Sequence, residues 1–521
     1  MAADGAAPQH DDDEGDWGPF GRPLFDDASA RALSRVGVVD VGSNSVRMVV
    51  FDGAARSPAY FYNEKIMCGL GKGLAETGRL NPEGKLRAMA ALKRFAALAR
   101  GMQISPFTVV ATAAVREAAD GPAFQADVLA RTGLRLHVVD GEEEARLSAQ
   151  GVLLGWPDAK GIVCDIGGNS MELARIGDGK VGKRVSTPLG PFRLLQVPGG
   201  AAERKAHIDR VLEQAARVVK STGERVYLVG GSWRVIARLD MERRGYPLTV
   251  LHEYRMLPGD LLETLDWLNG ADLAALRSRT GTSAERMELV PLACEVLREM
   301  IRVLKPSEID ISAYGIREGL LYEQMPERLR ARDPLIEAAR VTEMTQARLP
   351  GFGKKLFAFL EPLFKGASPE RMRLVKTACL LHDTTWREHP DYRAEACFDN
   401  ATRANLGGLD HPGRVFLGLA LLHRYKNSRA GSRLEPLFRL LSDSDIQEAE
   451  ALGKAMRFGA MFAVGDPARA GSLRWQPKKR ILTLTLTAEG EDLFGEVAQA
   501  RFAALGAALR AETRVVGGRP A

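Results

Sequence analysis

Gly161-Ile-Val-Cys-Asp-Ile-Gly-Gly-Asn-Ser-Met-Glu172 is the stretch of this sequence from which its fold can be inferred. An apolar run reaches Asp165, two glycines follow, and an Asn-Ser pair leads into Glu172 and a second apolar run. This order predicts a strand, a tight turn and a second strand, with one carboxylate on each side of the turn. Glycines let a backbone approach a phosphate group closely, so the turn is a candidate phosphate site.

A second copy of this pattern lies near the start of the chain, in Gly37-Val-Val-Asp-Val-Gly-Ser-Asn-Ser-Val-Arg-Met-Val49. Asp40 and Asp165 are 125 residues apart, and the same interval relates Gly42 to Gly167, Asn44 to Asn169 and Ser45 to Ser170. Two copies at the spacing of a domain predict two similar α/β lobes. We expect the two loops to face each other across a cleft.

The two loops supply the candidate binding residues. Their backbone N–H groups and small polar side chains are predicted to hold a phosphate group, through Gly42, Ser43, Asn44, Ser45, Gly167, Gly168, Asn169 and Ser170. Acidic side chains beside the loops are candidate ligands for Mg²⁺, which prefers oxygen atoms. These ligands are Asp165, Glu172 and Asp40.

Arg116 is a candidate phosphate clamp in the first lobe. It follows a strand predicted at 107–111, at the edge of the sheet where open α/β folds bind ligands. A guanidinium group at this edge can hold a phosphate through two hydrogen bonds. A surface pair with Glu117 is the alternative.

Gly141-Glu-Glu-Glu-Ala-Arg-Leu147 opens a predicted helix with three successive acids. Acids in the first turn complement the positive end of the helix dipole, which by itself accounts for them. Three are more than a helix end requires, however. One carboxylate beside a phosphate site can also orient or deprotonate a water molecule.

Four motifs together resemble the exopolyphosphatase / guanosine pentaphosphate phosphohydrolase (Ppx/GppA) family: Asp-Val-Gly-Ser-Asn-Ser at 40–45, Gly-Glu-Glu-Glu-Ala-Arg-Leu at 141–147, Asp-Ile-Gly-Gly-Asn-Ser-Met-Glu at 165–172 and Gly-Ile-Arg-Glu-Gly-Leu-Leu-Tyr-Glu at 315–323. The resemblance implies a two-lobed, actin-like (ribonuclease H-like, ASKHA) phosphatase core. It also implies that Glu144 is the catalytic base, with Glu143 the less favoured choice. A helical HD-like domain behind the core and a homodimer are further implications of the family.

Composition is that of an ordinary globular protein, with 45% hydrophobic and 26% charged residues. The net charge of +6 suits an anionic partner, although general solubility explains it equally well. The five cysteines are scattered, and three of them lie in apolar contexts, which indicates buried thiols in a reducing compartment. The sequence contains neither a membrane-spanning apolar stretch nor a signal-like N-terminus, so we expect a cytoplasmic protein that binds no membrane.

Five segments are predicted along the chain. Residues 1–33 are an acidic tail with few apolar residues, which we expect to be disordered. The remaining segments are lobe I at 34–158, lobe II at 159–328, a helical HD-like domain at 329–465, and a C-terminal α+β segment at 466–521. This last segment is expected to contain a hairpin, a helix from about residue 489 to 512 and a frayed end from residue 515.

The helical region contains an adjacent His382-Asp383 pair, as in HD-type metal phosphohydrolases. Such a site also needs an upstream histidine, and none occurs between Ala331 and Leu381. We therefore expect the HD-like fold with a degenerate metal site. Arginines and lysines around this pair either face solvent or line a channel for a long polyanion.

Two motifs of lobe II stay open between a structural and a functional interpretation. Val226-Tyr-Leu-Val-Gly-Gly-Ser-Trp-Arg234 is a strand followed by either a simple turn or a phosphate contact. Trp233 stands where nucleotide-binding loops keep small residues, which argues against an adenine pocket. Arg317 is either structural or faces the cleft.

Hydrolysis of the terminal phosphate of inorganic polyphosphate is the predicted function. Both loops hold the phosphate, Mg²⁺ offsets its charge, Glu144 aligns a water molecule and Arg116 clamps the phosphate oxygens. The alternatives are a guanosine pentaphosphate 5′-phosphohydrolase and a non-catalytic sensor of alarmones or polyphosphate. No role in nucleic-acid binding is predicted, and a sugar kinase would need a better adenosine loop.

Overall fold

The computed structural model describes residues 33–53, 56–429 and 433–517. Three β-sheets are present in these ranges, one in each lobe and one near the C-terminus. The predicted disordered tail lies outside the described residues, apart from residue 33.

Lobe I is built on a five-stranded sheet in the order β3-β2-β1-β4-β5. The strands are β1 (Val36–Val41), β2 (Ser45–Asp52), β3 (Ala59–Met67), β4 (Phe107–Ala111) and β5 (Leu136–Val138). The helices of this part of the chain are Leu74–Thr77, Pro82–Gly101, Ala113–Glu117, Gly121–Thr132 and Gly141–Gly155. Asn81 accepts a hydrogen bond from the Gly84 N–H and so caps the longest of these helices, as Asn-Pro at a helix start predicts.

Lobe II is built on a six-stranded sheet in the order β10-β11-β9-β6-β7-β8. The strands are β6 (Gly161–Ile166), β7 (Met171–Gly177), β8 (Lys180–Thr187), β9 (Val226–Gly230), β10 (Tyr254–Met256) and β11 (Ile309–Ile311). The helices are Pro191–Leu194, Ala201–Val219, Gly231–Arg243, Pro258–Asn269, Leu273–Thr280, Ala284–Met287, Val290–Leu304, Ile316–Gln324 and Glu327–Arg330.

Each lobe contains the predicted hairpin. β1 pairs antiparallel with β2, and β6 pairs antiparallel with β7. Directly opposite residues share one face of a sheet, so the partner of each aspartate decides the local charge. Asp40 lies opposite Arg47, whereas Asp165 lies opposite Glu172. The duplicated backbone therefore carries a different charge balance in each lobe.

Two helices lie between the lobes and are called the interlobe helices here: Gly141–Gly155 and Ile316–Gln324. Their buried side chains share one apolar core with residues of both sheets. Glycines allow the helix backbones to approach closely, because a Cβ at Gly319 would lie 1.8 Å from the carbonyl oxygen of Leu147. This contact sets the relative position of the N-terminal ends of both helices.

A mostly helical domain follows the two lobes. Its α-helices are Pro334–Gln346, Phe352–Leu360, Pro369–Leu381, Arg393–Arg403, His411–His423 and Asp443–Phe462, with 3₁₀ turns at Glu361–Phe364 and Glu435–Leu440. None of the helices in the described ranges combines the length and apolar character that crossing a membrane requires.

The helical domain is joined to both lobes by buried polar contacts. Ser57 of lobe I donates to the Asn405 carbonyl at 3.0 Å and accepts from the Gly407 N–H at 2.8 Å. In lobe II, the Glu253 carboxylate accepts from the Leu409 N–H at 2.8 Å. The domain is thus anchored at one segment, 405–409, to both halves of the core.

The C-terminal segment differs from the prediction in two ways. The hairpin is present as β12 (Gly471–Gln476) and β13 (Ile481–Leu486), but the expected single helix is divided into Ala488–Leu493 and Glu496–Ala508. Gly495 lies at the break, where its low helix propensity favours an interruption. The predicted fraying is wrong for residues 515 and 516, because Glu512–Val516 forms β14 and pairs parallel with β13. Residues 518–521, the rest of that predicted end, lie outside the described residues.

All five cysteines are buried and free. Burial raises the pKa of the Cys379 thiol above its usual value, as it does for Cys164. Neutral, buried thiols behave as small apolar side chains. The prediction of buried thiols is confirmed.

Replacing Gly319 with alanine tests the packing of the interlobe helices. The new methyl group would meet the backbone at Leu147, so we expect the free energy of unfolding to fall by ~1–3 kcal/mol in urea titrations. Gly259→Ala is the matched control, because that helical glycine has nothing within 4 Å of a Cβ. A Gly319→Ala variant as stable as the parent would contradict this account of the packing.

Acid should weaken the attachment of the helical domain through His411. The ring contacts the Tyr246 hydroxyl at 3.0 Å and the His252 carbonyl at 3.2 Å, and burial lowers its pKa to about 4, helped by Arg414. The unfolded chain, with a histidine pKa of about 6.5, binds more protons between these values. The free energy of unfolding should therefore fall as pH drops from 6.5 towards 4, by up to about 3 kcal/mol from this residue.

Urea midpoints at neutral and acidic pH measure the effect. His411→Gln should remove part of the pH dependence, whereas His389→Gln, which changes an exposed histidine of the same domain, should not. An unchanged pH dependence in His411→Gln would show that the ring is not the group responsible.

Candidate active site

The two hairpin loops and the first interlobe helix enclose one cavity of about 180 Å³. Nine of the residues predicted for the site line it: Asp40, Gly42, Ser43, Glu144, Asp165, Gly167, Gly168, Asn169 and Ser170. The prediction that the loops face each other across a cleft is therefore confirmed. The cavity is large enough for a phosphate group.

The two loops have the same backbone geometry. The Gly42 N–H donates to the Ser45 carbonyl at 3.0 Å, and the Gly167 N–H donates to the Ser170 carbonyl at 2.9 Å. The loops also approach each other, since a Cβ at Gly168 would lie 3.9 Å from the Cβ of Ser43. The sequence duplication is thus a duplication of structure around one space.

Acidic groups are concentrated in this cavity, and their burial determines their protonation. Burial raises the pKa of Glu144 well above its usual value; Glu172 and Asp165 raise it further, and Arg116 opposes them. Burial, followed by the charge of Asp165, raises the pKa of Glu172 to about 8. Burial also raises the pKa of Asp40 and of Asp165.

Hydroxyl groups hold two of these carboxylates in place. Ser148, one turn after Glu144 on the same helix, donates to Asp165, and Ser186 donates to Glu172 at 2.8 Å. These two carboxylates therefore have fixed positions, so a metal ion can bind them without rearrangement.

The acidic residues fit Mg²⁺ in one specific way. Among the described residues, no three histidine, cysteine or acidic side chains form a ready metal-ligand cluster. Mg²⁺ in phosphate-handling sites is commonly held by one or two carboxylates, with water and substrate oxygens completing the shell. Asp40 and Asp165 line the cavity and meet that requirement.

Two arginines line the cavity opposite the acids. Arg234 donates to the Gly230 carbonyl at 3.0 Å, and Arg317, only 8% exposed, begins the second interlobe helix. Sequence reasoning left Arg317 open and did not select Arg234. The signal for Arg234 was its position in the first turn of the helix that follows β9, a strand parallel to the strand of Asp165. Trp233 is fully buried in the core of lobe II, so this turn offers no adenine pocket.

Arg116 lies beside Glu144 and outside the lining of the cavity. Its Nη1 donates to the Val139 carbonyl at 2.7 Å and lies 3.4 Å from the Glu144 carboxylate. The alternative pair with Glu117 is wrong, because Glu117 pairs with Arg193 instead. The structure thus places Arg116 next to the predicted base.

Four other predicted residues lie outside the lining. Glu143 is held by Arg146, and Glu172 lies behind Ser186 at 2% exposure. Ser45 begins β2, where its carbonyl closes the loop. Asn44 lines a neighbouring cavity instead, so contact with the same phosphate is not supported for these four.

The neighbouring cavity, of about 270 Å³, carries positive charge. Lys65, Arg238 and Arg286 line it together with Asn44. Burial, together with the charges of Arg286, Arg47, Arg234 and Arg317, lowers the pKa of Lys65 to about 8. The loop of lobe I therefore borders the first cavity through Gly42 and Ser43 and the basic cavity through Asn44.

The His382-Asp383 pair of the helical domain carries a different arrangement. Arg348 donates to both carboxylate oxygens of Asp383, at 2.6 and 2.7 Å. The His382 ring contacts the Cys379 carbonyl at 2.8 Å, and burial lowers its pKa to about 4. The Arg348 guanidinium group thus binds both oxygens of the carboxylate that a metal ion would need as a ligand.

Curated relatives match between about half and three quarters of this chain. Exopolyphosphatase 2 of Mycobacterium tuberculosis is 28% identical over 314 residues, which are 56% of this chain and 98% of that protein. Exopolyphosphatase 1 of Mycobacterium leprae is 27% identical over 313 residues, 56% of this chain and 89% of that protein. Retrograde regulation protein 2 of Saccharomyces cerevisiae is 24% identical over 444 residues, 77% of this chain and 74% of that protein.

Solved structures share the fold of the core. A Ppx/GppA family member from Aquifex aeolicus has a TM-score of 0.50 and 23% identity, covering 56% of this chain and 97% of that chain. An exopolyphosphatase from Cytophaga hutchinsonii has a TM-score of 0.50 and 23% identity, covering 58% and 99%. The predicted actin-like, two-lobed core is confirmed.

Two family models match successive parts of the sequence. The model described as the C-terminal part of exopolyphosphatase matches residues 335–514. The model described as the Ppx/GppA phosphatase family matches residues 49–328, which include most of both lobes and the residues that form the cavity from Glu144 onwards. Since that match spans more than half of the sequence and agrees with the fold, the chain belongs to the Ppx/GppA phosphatase family.

Proposed function

We propose that this protein is an exopolyphosphatase, which removes the terminal phosphate of inorganic polyphosphate by attack of water. The convergence of two Gly-rich loops and Glu144 on one phosphate-sized cavity carries this proposal. Relatives named as exopolyphosphatases and the matched family support it.

The terminal phosphate would be held from two sides. Backbone N–H groups at Gly168 and Ser43, with the side chains of Asn169 and Ser170, supply hydrogen bonds of the kind that bind phosphate at Gly-rich turns. Arg234 and Arg317 add fixed positive charge. Phosphoryl transfer depends chiefly on such placement and charge compensation.

Glu144 would direct the water molecule. Attack by the water oxygen forms a new bond to the terminal phosphorus and breaks its bond to the bridging oxygen, which leaves with the shortened chain. The proton lost by the water passes to Glu144. Burial raises its pKa, so its carboxylate is more basic than that of an exposed glutamate. Arg116 keeps the carboxylate oriented.

Mg²⁺ is part of this proposal. Asp40 and Asp165 would hold the ion in the cavity, with Glu172 behind Asp165. When bound, the ion supplies charge compensation for the phosphate oxygens. Binding of the cation would also favour the ionised form of these carboxylates.

The basic cavity beside Asn44 favours a polymer over guanosine pentaphosphate. Lys65, Arg238 and Arg286 provide positive charge for several further phosphates, and the described lining contains no aromatic ring for a base. Guanosine pentaphosphate 5′-phosphohydrolase activity remains the alternative at the same catalytic cavity. A non-catalytic sensor is the other alternative, and the presence of Glu144 in the cavity argues against it.

Three further features belong to the proposal. The helical domain is HD-like, with its His382-Asp383 pair inactive as a metal centre. The protein is a homodimer and acts in the cytoplasm, as the family resemblance and the buried free thiols suggest.

Glu144→Gln tests the catalytic assignment. We expect at least about 100-fold slower release of orthophosphate from end-labelled polyphosphate, because general-base catalysis contributes roughly that much or more. Binding of polyphosphate should persist, since the loops and arginines are intact. The assay includes guanosine pentaphosphate at equal concentration and is run with and without Mg²⁺.

Glu142→Gln is the control, because this side chain lies on the same helical turn and is 66% exposed. Unchanged hydrolysis in Glu144→Gln would refute the assignment. Loss of hydrolysis in Glu143→Gln alone would identify that residue as the base. Faster hydrolysis of guanosine pentaphosphate than of polyphosphate would favour the alternative substrate.

Lys65→Ala and Arg286→Ala test the role of the basic cavity. Each loses one charged contact with the polymer, so KM for long polyphosphate should rise roughly 5- to 30-fold, with a smaller change for tripolyphosphate. Arg131→Ala, which removes an exposed arginine of lobe I, is the control. Equal effects on both substrates would place the additional phosphates elsewhere.

A further inference from the structure

The helical domain contains a second cavity that the proposed phosphatase chemistry does not use. It has a volume of about 660 Å³ and is lined entirely by residues between 348 and 464. Its volume lies within the range of sites for small organic ligands. Neither the loops nor the acids of the candidate active site contribute to it.

Positive charge predominates in this cavity. Four arginines line it, Arg348, Arg393, Arg424 and Arg457, against the single carboxylate of Asp383. That carboxylate is already bound by Arg348 at both oxygens. The other three guanidinium groups therefore have no acid of their own within the lining.

Arg424 is the least compensated of the four. Its side chain is 7% exposed, and its buried Nε has no hydrogen-bond partner among the described residues. The guanidinium lies over the Tyr425 ring, 4.9 Å from the centroid. Burial lowers its pKa, and the charges of Tyr425 and Asp383 only partly oppose this effect. A buried cation is costly unless a counterion or hydrogen-bond acceptors meet it, so this group indicates an anionic ligand.

The other two arginines are positioned to share that ligand. Arg393 donates to the carbonyl of Trp386 at 2.7 Å, which fixes it while leaving its Nε without a partner. Arg457 donates to Asn427 at 2.8 Å, and burial together with Arg501 and Arg424 lowers its pKa. Several fixed guanidinium groups with unused donors match the oxygens of a phosphate.

Part of the cavity lining is apolar. It consists of the buried Phe352 and of Leu349, Met461 and Val464, which have 44%, 41% and 76% of their surfaces exposed. Adjacent exposed apolar side chains beside a cationic pocket indicate a ligand with an apolar part as well as a charge. Met is suited to such a lining because its side chain adapts to flat rings.

We propose that this cavity binds a nucleoside phosphate, with its phosphate groups on Arg424, Arg393 and Arg457 and its base against Phe352 and Met461. The site binds without hydrolysing. His382 is held by the Cys379 carbonyl, and Asp383 is occupied by Arg348, so neither is free to activate water. The cavity is thus a ligand site separate from the catalytic one.

Equilibrium dialysis of the full chain with ADP and GDP, beside adenosine and inorganic pyrophosphate, tests the proposal. We expect a nucleoside diphosphate to bind more tightly than either fragment, because only it meets both the arginines and the apolar part of the lining. Arg424→Met should weaken that binding roughly tenfold or more, as loss of a charged phosphate contact predicts. Arg457→Met should also weaken binding of the nucleoside diphosphate. Because Arg457 is only half-buried, this second variant tests the proposal even if Arg424→Met fails to fold.

Two controls separate this cavity from the catalytic one. Arg433→Met removes an exposed arginine of the same domain and should leave binding unchanged. Arg317→Met alters the phosphatase cavity and should also leave it unchanged. The proposal is overturned if neither diphosphate binds, if binding is lost in Arg317→Met but kept in Arg424→Met, or if pyrophosphate binds as tightly as ADP.

Discussion

Burial of several acidic groups in one small cavity is the constraint on which the core of this protein depends. Asp40, Asp165 and Glu144 line a space of about 180 Å³, and burial raises the pKa of each. Several buried groups of like charge are tolerated in one small cavity only where protons, cations or fixed hydrogen-bond donors compensate them. Arg234 and Arg317 supply fixed positive charge at the same cavity, and a bound cation would supply more.

The packing of the interlobe helices brings these opposing charges together. Glu144 lies near the start of one helix and Arg317 near the start of the other. The helices contact at backbone distance, since Gly319 leaves no room for a methyl group beside Leu147. The position of Glu144 relative to Arg317 in the cavity therefore depends on a contact between Gly319 and Leu147, which do not line the cavity themselves.

The two lobes share the backbone geometry of the duplicated hairpin but differ in the charges beside it. The hydrogen bond that closes each loop is the same, yet Arg47 lies opposite Asp40 while Glu172 lies opposite Asp165. Asp40 therefore has an opposite charge across the hairpin, whereas Asp165 has a like charge. The neighbouring basic cavity is shared between the lobes, with Lys65 from lobe I and Arg238 and Arg286 from lobe II.

Sequence alone determined the two hairpins, the lobes and nine residues of the cavity, because local glycine and strand patterns are repeated at a fixed interval. It left Arg317 open, missed Arg234, and mispredicted the end of the chain. Those outcomes depend on which strands and helices become neighbours, and no local pattern encodes that. Only the tertiary structure separated Asn44, Ser45 and Glu143 from the cavity, since a side chain's direction is set by the strand or helix that carries it and by the partner that holds it.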